Sequence, residues 1–517
     1  MTPRQHANLA TQNELPPDRT TTAPAPAEKG GAAAASTAMP PAAGAASPSS
    51  RPESAPVAAI VERLEAALGP DIVAWGERLP DRRYHDWSGL AGARPLALLR
   101  PRSTGEVATA LRLCHAARQP VVPQGGLSGL AGGANVRHAG EIALSLERMT
   151  ALQFDAVGGT LTAEAGASLQ AIQEAADAAG HWFPLDLGAR GTCTIGGNLA
   201  TNAGGNRVLR YGMARDQVLD LEAVLADGSV IGGRRAMLKN NTGYDLRHLL
   251  IGSEGTLGVI TSATLRLRAR PAATATAWCG VADYEAVTHL LREGERRLGN
   301  GVSTFEVMWP DYLRFVIDNV AGLRRPLASE PGFHVLLESL GSHAHRHQEE
   351  FETFLADLLD QGVIADAAIA RSEADARRFW EVREATAGFP ALMPRLLGFD
   401  VSFALADIAD AAQACARWLK HHWPGSTLLV YGHLGDGNLH VIIDVPGATD
   451  GTLHDVELGV YDLVREYGGS ISAEHGIGTK KRGVLGHSRS RAELAAMQAI
   501  KHGLDPRGIL NPGKVLD

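Results

Sequence analysis

Residues 120–134 read PVVPQGGLSGLAGGA and begin in an extended run. Successive glycines let backbone N–H groups point into one concavity, which suits a diphosphate. The segment is not the dinucleotide fingerprint GxGxxG, because neither that spacing nor the later acidic residue is present. Taken alone, such a loop is more often a tight turn in solvent.

Two further segments share this character. They are CTIGGNLATNAGGNRVLRYG (193–212) and GSEGTLGVIT (252–261), and the sequence holds no GxxxxGK[ST] loop. Three such segments within one region indicate backbone pressed against a large, planar, phosphate-bearing ligand. Coincident turns are a strained explanation.

The surrounding pattern predicts the fold class. Residues 91–271 alternate strands and helices, and Ser103 with Glu106 predicts a capping box at one helix. After Pro271 the chain alternates strands with amphipathic helices, which predicts a sheet covered on one side by helices. The predicted class is therefore α+β, and a chain of 517 residues is long enough for two or three domains.

Composition narrows the partners and the compartment. The net charge is −8 and there is no basic tract, so we expect no nucleic-acid partner. No apolar run reaches the ~18–20 residues of a membrane span, so we expect no transmembrane segment. Four cysteines without a CxxC pair favour a reducing, cytoplasmic compartment. Residues 1–55 are rich in Ala, Pro, Gly and Ser and are predicted to be a disordered tail.

A second stretch, YGHLGDGNLH (431–440), raises a question about metal binding. Asp436-Gly437 predicts a two-residue type I′ hairpin turn, which would place His433 opposite His440. Directly opposed Cβ atoms stand roughly 4.5–5.5 Å apart, close enough to share one ion. From this stretch alone, a metal site and an ordinary pair of core or surface histidines are equally supported. HAHRH (343–347) opens an amphipathic helix and is predicted to be a solvated first turn without metal.

Six ordered segments carry a family resemblance: PQGGLSGLAGGA, TIGGNLATNAGG, GSEGTLGVIT, GHLGDGNLH, SAEHGIG and LDPRGILNPGKV. Residues from about 60 to 517 resemble the FAD-linked D-2-hydroxyacid dehydrogenases, a group that includes D-lactate dehydrogenase, the glycolate oxidase FAD subunit and D-2-hydroxyglutarate dehydrogenase. The resemblance implies a two-part FAD-binding domain of the vanillyl-alcohol oxidase type and a substrate (cap) domain with an antiparallel sheet covered by helices. The expected bounds are 56–271 for the FAD-binding domain with a helical lead-in, 272–490 for the substrate domain with the metal site, and 491–517 for a helix and tail that return to the FAD domain.

The resemblance implies FAD as the cofactor. Relatives with covalent flavin often carry a histidine in the first loop, whereas this chain has Gln124 and Gly125, so we expect non-covalent FAD. The residues expected at the cofactor are Pro123, Gln124, Gly125, Gly126, Leu127, Ser128, Gly129, Leu130, Pro184, Thr194, Gly196, Gly197, Asn198, Thr201, Asn202, Gly204, Gly258, Val259, Ile260 and Asn511.

The resemblance also implies a metal and a reaction. A divalent cation, usually zinc, is expected at His433, His440 and Glu474. The implied reaction oxidises a D-2-hydroxy acid to the 2-oxo acid, with hydride passing to flavin N5 and the metal assisting hydroxyl deprotonation. His475 is the expected base, the alternative being a residue that orients a ligand. Arg383 is expected to bind the substrate carboxylate, the alternative being a surface ion pair with Glu384 or a neighbour.

Substrate choice is predicted from three positions. Relatives that act on 2-hydroxyglutarate carry polar groups where this chain has Ala387, Gly398 and Ile442, which favours a D-lactate-like side chain. D-2-hydroxyglutarate dehydrogenase, a glycolate oxidase subunit, a flavoprotein oxidase and a non-catalytic flavin-binding subunit remain alternatives. The expected electron acceptor is a quinone, a cytochrome or an electron-transfer flavoprotein. A homodimer and a peripheral membrane association stay open.

Overall fold

The glycine-rich N-terminal half forms two main sheets with helices packed against them. The computed structural model describes residues 55–233 and 235–516. The strands of this half are β1 (Val73–Trp75), β2 (Ala97–Leu99), β3 (Val121–Gln124), β4 (Ile142–Ser145), β5 (Leu152–Asp155), β6 (Thr160–Glu164), β7 (His181–Trp182), β8 (Val218–Val224), β9 (Val230–Gly232), β10 (Val259–Arg266) and β11 (Arg268–Ala269). Its helices are α1 (Ala55–Leu68), α2 (Thr104–Ala117), α3 (Leu169–Ala178), α4 (Ile195–Ala200), α5 (Val208–Tyr211) and α6 (Leu246–Leu250).

The first sheet has the strand order β1-β2-β4-β3, and β4 runs parallel to both β2 and β3. The loop 125–134 leaves the carboxyl end of β3. The predicted capping box on α2 is half formed. The Ser103 side chain accepts from the N–H of Glu106, whereas the Glu106 carboxylate accepts from the N–H of Arg102 rather than that of Ser103.

The second sheet is antiparallel, with the order β5-β6-β10-β8-β9. A hairpin at Asp227-Gly228 joins β8 and β9, and Val224 pairs with Val230 across it. The second glycine-rich segment supplies α4, and the third leads into β10. All three segments therefore flank the strands of these two sheets.

The C-terminal half is built on one antiparallel sheet with the order β15-β12-β14-β13-β17-β18-β16. Its strands are β12 (Ala273–Val281), β13 (Val302–Met308), β14 (Phe333–Gly341), β15 (Asp366–Ile369), β16 (Leu397–Ser402), β17 (Thr427–His433) and β18 (Asn438–Asp444). The helices are α7 (Tyr284–Leu298), α8 (Pro310–Asn319), α9 (Ala344–Asp360), α10 (Glu373–Arg383), α11 (Phe389–Leu392), α12 (Ile408–His422), α13 (Asp450–Glu466) and α14 (Arg491–Leu504).

Helices lie on both faces of this sheet, so the expectation of helices on one side only is wrong. Side chains alternate along a strand. On β13, Phe305 and Val307 belong to the core under α7, α9, α12 and α13, whereas Met308 belongs to a second core under α8, α10 and α11. Glu306 shares the face of Met308 because it lies two residues away.

The predicted α+β class, with an antiparallel C-terminal sheet covered by helices, is confirmed. The described residues, 55–233 and 235–516, belong to one compact unit. The predicted tail, residues 1–55, lies outside the described residues except for Ala55, where α1 begins. Among the described residues, no helix is long and apolar enough to cross a membrane.

Candidate active site

The three glycine-rich segments surround one cavity of about 410 Å³. Most of the residues expected at the cofactor line it: Pro123, Gln124, Gly125, Gly126, Leu127, Ser128, Gly129, Leu130, Thr194, Gly196, Gly197, Asn198, Thr201, Gly204, Val259 and Ile260. The wall also includes residues that the sequence reasoning missed, among them Asp86, Leu187, Gly188, Ala189 and Glu254. The first four lie outside the three glycine-rich segments. Glu254 lies within the third segment, but the glycine pattern did not indicate its side chain.

Two glycines show how closely the wall is packed. A Cβ at Gly126 would lie 1.8 Å from the carbonyl oxygen of Thr192, and one at Gly196 would lie 2.6 Å from the Cβ of Ala165. No larger residue fits without moving backbone. Glycine is therefore needed here for close approach rather than for a solvent turn.

The cavity presents polar atoms that lack a protein partner. Gln124 Oε1, Thr194 Oγ1 and Asn198 Nδ2 are buried and make no hydrogen bond within the part of the chain that the structure describes. Buried polar groups are normally paired. An orphaned acceptor, an orphaned hydroxyl and an orphaned amide in one cavity fit a ligand such as FAD, which offers both donors and acceptors.

Four of the residues expected at the cofactor lie outside the cavity wall. The Pro184 carbonyl accepts from Arg207, and the side-chain oxygen of Asn202 accepts from the N–H of Arg215. A Cβ at Gly258 would face Leu250. Asn511 donates to the carbonyl oxygens of Gly133 and Glu254 at 2.8 and 2.7 Å, so it ties the C-terminal tail to the wall.

The metal-ligand candidates come together. One ligand atom from each of His433, His440 and Glu474 lies within 4.8 Å of the others. The two imidazole rings stand 5.3 Å apart at 82°. Two imidazoles and a carboxylate at this spacing fit a divalent ion that keeps coordination positions open for substrate.

The hairpin that carries the histidines differs from the predicted one. Tyr431, not His433, pairs with His440, and a 3-10 turn at Leu434–Asp436 precedes Gly437 at φ 83°. The prediction of a two-residue type I′ turn is therefore wrong. The longer turn buries Leu434 completely, at 0% exposure, in the core of the opposite face. The histidines meet as a diagonal pair on one face instead of a directly opposed pair.

A buried carboxylate that the sequence reasoning missed bridges two of the predicted residues. Glu306 Oε1 lies 2.5 Å from His433 Nδ1, and Arg383 Nε donates to Glu306 Oε2 at 2.7 Å. Burial opposes ionisation, but the charges of Arg383 and His433 outweigh it and lower the pKa of Glu306 to about 2. The available signal was a lone acid within the apolar strand VSTFEVM.

A second missed carboxylate, Asp400 on β16, holds the loop that carries Glu474 and His475. It accepts from the backbone N–H groups of these two residues at 2.8 and 2.9 Å, and from Asn438 Nδ2 at 2.8 Å. Burial opposes ionisation, but His475 and His440 hold its pKa below the usual range. Burial and the neighbouring His433 lower the pKa of His440, which favours the neutral imidazole that binds metals.

Arg383 ends α10 and is buried, with 7% of its surface exposed. Its guanidinium lies 4.7 Å from the ring centre of Tyr431, and the Tyr312 hydroxyl donates to its carbonyl oxygen at 2.7 Å. Arg383 forms its ion pair with Glu306 rather than with Glu384, so the surface ion pair considered as an alternative is wrong.

The metal candidates adjoin the cofactor cavity. Glu474 and His475 line that cavity, and Glu474 Oε1 accepts from the N–H of Gly205 at 2.8 Å.

Elsewhere, the prediction of a solvated first turn at HAHRH (343–347) is wrong for His347, which is buried at 8% exposure. His347 packs against the backbone of Gly341, leaving no room for a Cβ there.

Comparisons with known proteins agree with this geometry. Residues 95–232 match the FAD binding domain family, and residues 270–515 match the C-terminal domain of FAD linked oxidases. Among solved structures, p-cresol methylhydroxylase superposes with a TM-score of 0.71 at 15% identity, over 90% of this chain and 98% of that one. Alkyldihydroxyacetonephosphate synthase gives 0.66 at 17% identity, over 88% and 84%. The fold is that of the vanillyl-alcohol oxidase-type flavoproteins.

Sequence relatives define the family more narrowly. The D-2-hydroxyglutarate dehydrogenase of Arabidopsis thaliana is 38% identical over 88% of this chain and 81% of its own length. The Bos taurus enzyme of that name is 40% identical over 83% and 78%. A Schizosaccharomyces pombe protein named provisionally as a D-lactate dehydrogenase is 36% identical over 83% of both chains. The chain belongs to the FAD-linked D-2-hydroxyacid dehydrogenase family, as its motifs predict, and is an FAD-dependent oxidoreductase.

Proposed function

We propose that this protein oxidises a D-2-hydroxy acid with a short apolar side chain, such as D-lactate, to the 2-oxo acid. The observation that carries the proposal is the cluster of His433, His440 and Glu474 beside a cavity that fits FAD. The residues expected at the cofactor, including the four outside the cavity wall, remain a proposal. We also propose that FAD is bound non-covalently and that the domain boundaries fall after residues 271 and 490.

Two groups supply chemistry that the side chains lack. FAD, when bound, accepts the hydride from the substrate Cα, and a divalent cation, when bound, makes the substrate hydroxyl a stronger acid. We propose zinc, because two imidazoles and one carboxylate are ligands that it commonly takes. Gln124, Thr194 and Asn198 would meet FAD with their orphaned polar atoms.

The chain's own residues bind substrate and move its proton. Arg383 would hold the substrate carboxylate, because a guanidinium offers paired donors in a fork. His475 would take the hydroxyl proton through its imidazole, since its backbone is fixed by Asp400 and its side chain, which is 33% exposed, lines the cavity. Transfer of the hydroxyl proton to His475, together with the Cα hydride that bound FAD would take up, would leave the carbonyl of the 2-oxo acid.

The preference for an apolar side chain is supported by the three positions at which relatives that act on 2-hydroxyglutarate carry polar groups. Gly398 and Ile442 are directly paired across β16 and β18, and Ile442 packs against the apolar core that contains Tyr431. A second carboxylate at this position would lack the polar partners that it needs. Ala387 lies in the turn that follows α10 and likewise offers no polar group.

D-2-hydroxyglutarate is the second candidate, because most of the relatives reported above carry that name. A quinone, a cytochrome or an electron-transfer flavoprotein is proposed as the acceptor. The relatives' names include the word mitochondrial, so a cytoplasmic location, like a homodimer, stands only as a proposal.

Anaerobic reduction of the flavin-loaded protein tests the proposal. D-lactate is expected to bleach the flavin absorbance faster than D-2-hydroxyglutarate. Chelation of divalent ions, or His440→Ala, is expected to abolish bleaching while the flavin stays bound. Preferential bleaching by D-2-hydroxyglutarate would select the second candidate. Turnover after complete removal of divalent ions would refute the role of the metal.

A further inference from the structure

We propose that Glu306 is a positioning residue that holds the metal ligand His433 and the carboxylate-binding Arg383 in one geometry. The inference rests on the proposed function, because it assigns Glu306 a part in the same site. Neither the family resemblance nor the relatives' names assign this residue a role.

Each oxygen of Glu306 serves one partner. Oε1 contacts His433 Nδ1 at 2.5 Å, and Oε2 accepts from Arg383 Nε at 2.7 Å. With Nδ1 engaged, His433 has Nε2 available for an ion, which is the usual arrangement of a carboxylate behind a metal-binding imidazole. Arg383 donates to Glu306 through Nε–H, so Glu306 fixes the orientation of the guanidinium. The N–H groups on its two terminal nitrogens are left to bind a substrate carboxylate.

The backbone holds this bridge in place. Glu306 and His433 are directly paired across β13 and β17, so their side chains project from the same face side by side. Arg383 arrives from α10, whose end is held by the Tyr312 hydroxyl. Glu306 is 1% exposed, and His433 and Arg383 are each 7% exposed. In such surroundings a shared carboxylate strongly restricts both partners.

A purely structural ion pair predicts a different outcome. Loss of such a pair would lower stability and leave ligand affinities unchanged. A bridge between a metal ligand and a substrate-binding arginine instead predicts that removal of one charge weakens metal binding and substrate binding together. The two readouts therefore separate positioning from stability.

The test compares Glu306→Gln, Glu306→Asp and the control Glu338→Gln. Glu338 lies on the neighbouring strand β14, and its carboxylate accepts from Thr276 Oγ1 and Trp380 Nε1 rather than from a metal-ligand candidate. Zn²⁺ affinity is measured on the oxidised, flavin-loaded protein by competition with a chelator. The Michaelis constant for D-lactate, kcat and the melting temperature are measured in parallel.

Glu306→Gln is expected to weaken Zn²⁺ binding about 10- to 100-fold and to raise the Michaelis constant about tenfold. Glu306→Asp keeps the charge but is one methylene shorter, so it is expected to recover part of the Zn²⁺ affinity. Glu338→Gln is expected to change neither quantity. If Glu306→Gln lowers only the melting temperature, or if Glu338→Gln has the same effects, the inference is overturned.

Other outcomes separate this inference from the proposed function. If Glu306→Gln does not retain flavin, Glu306→Asp is judged by the same two quantities. If no D-2-hydroxy acid reduces the wild-type flavin but Glu306→Gln still weakens Zn²⁺ binding, the function fails and the positioning of His433 stands. If the wild-type protein binds no Zn²⁺ but D-lactate still reduces its flavin, the inference about Glu306 is overturned and the oxidation of the D-2-hydroxy acid stands.

Discussion

The backbone N–H of Gly205 donates a 2.8 Å hydrogen bond to Oε1 of Glu474. Gly205 belongs to the second glycine-rich segment, and Glu474 is a metal-ligand candidate more than 250 residues away in the chain. The bond connects the cofactor cavity to the metal cluster. A substitution in the second glycine-rich segment should therefore change the affinity of the cluster for a metal ion.

Gly204→Ala is expected to reduce Zn²⁺ affinity by about tenfold and to lower kcat. A Cβ at Gly204 would lie 2.6 Å from Glu474 Oε1, so the carboxylate must move. Gly188→Ala is the matched control, because Gly188 lines the same cavity but its added Cβ would meet nothing within 4 Å. Equal Zn²⁺ affinities for the two variants would contradict the prediction.

Asp400→Asn is expected to lower kcat/KM about 100-fold. The change replaces a buried carboxylate that accepts from the N–H groups of Glu474 and His475, and charge-assisted bonds contribute about 1.5–3 kcal/mol each. The measurement is steady-state kinetics, with each rate divided by the flavin content of the preparation. Asp407→Asn serves as the control, since the Asp407 side chain does not cap α12. Unaltered kinetics in Asp400→Asn would show that the loop holds its geometry without this charge.

The double variant Gly398→Lys with Ile442→Asn is expected to raise the ratio of D-2-hydroxyglutarate to D-lactate turnover by about tenfold or more. The change supplies polar partners for a second carboxylate beside Arg383. A Cβ at Gly398 meets only ordinary contacts, the nearest at 3.6 Å from Ile442 Cδ1, so the backbone tolerates a side chain. Ile442→Val should leave the ratio unchanged. A ratio that does not rise would place the side-chain pocket elsewhere.

Glu254→Gln is expected to flatten the dependence of stability on pH. Burial raises the pKa of Glu254 from 4.5 to about 7, against the N–H groups of Ile477 and Gly478, which lower it. The folded protein keeps this proton where the unfolded chain has lost it, so Glu254 makes stability fall as pH rises from 4.5 to about 7.

The loss attributable to Glu254 is at most about 3 kcal/mol and is complete above that window. The measurement is urea unfolding of the flavin-loaded protein at several pH values from about 5 to about 8. The stability of Glu254→Gln relative to wild type should increase with pH. Parallel curves for the two proteins would refute the shift.

The sequence by itself predicted many of the residues that line the cofactor cavity. Glycines such as Gly126 and Gly196 are required where backbone approaches backbone, and this requirement is local enough to be visible as three glycine-rich segments. The hairpin motif indicated His433 and His440 as possible metal ligands, and the family resemblance added Glu474; the structure brings the three together. The motifs along the chain were thus enough to propose residues for the site, although they did not indicate Glu306 or Asp400.

Only the tertiary structure decided how those residues are held. Glu306 and Asp400 look like single acids in apolar strands, and their partners lie at least 38 residues away in the chain. The hairpin register also depended on burial of Leu434, a long-range effect that outweighed the local preference of Asp-Gly for a tight turn. Turn preference and glycine spacing act between neighbours in sequence, whereas strand pairing and the burial of charge depend on the whole sheet.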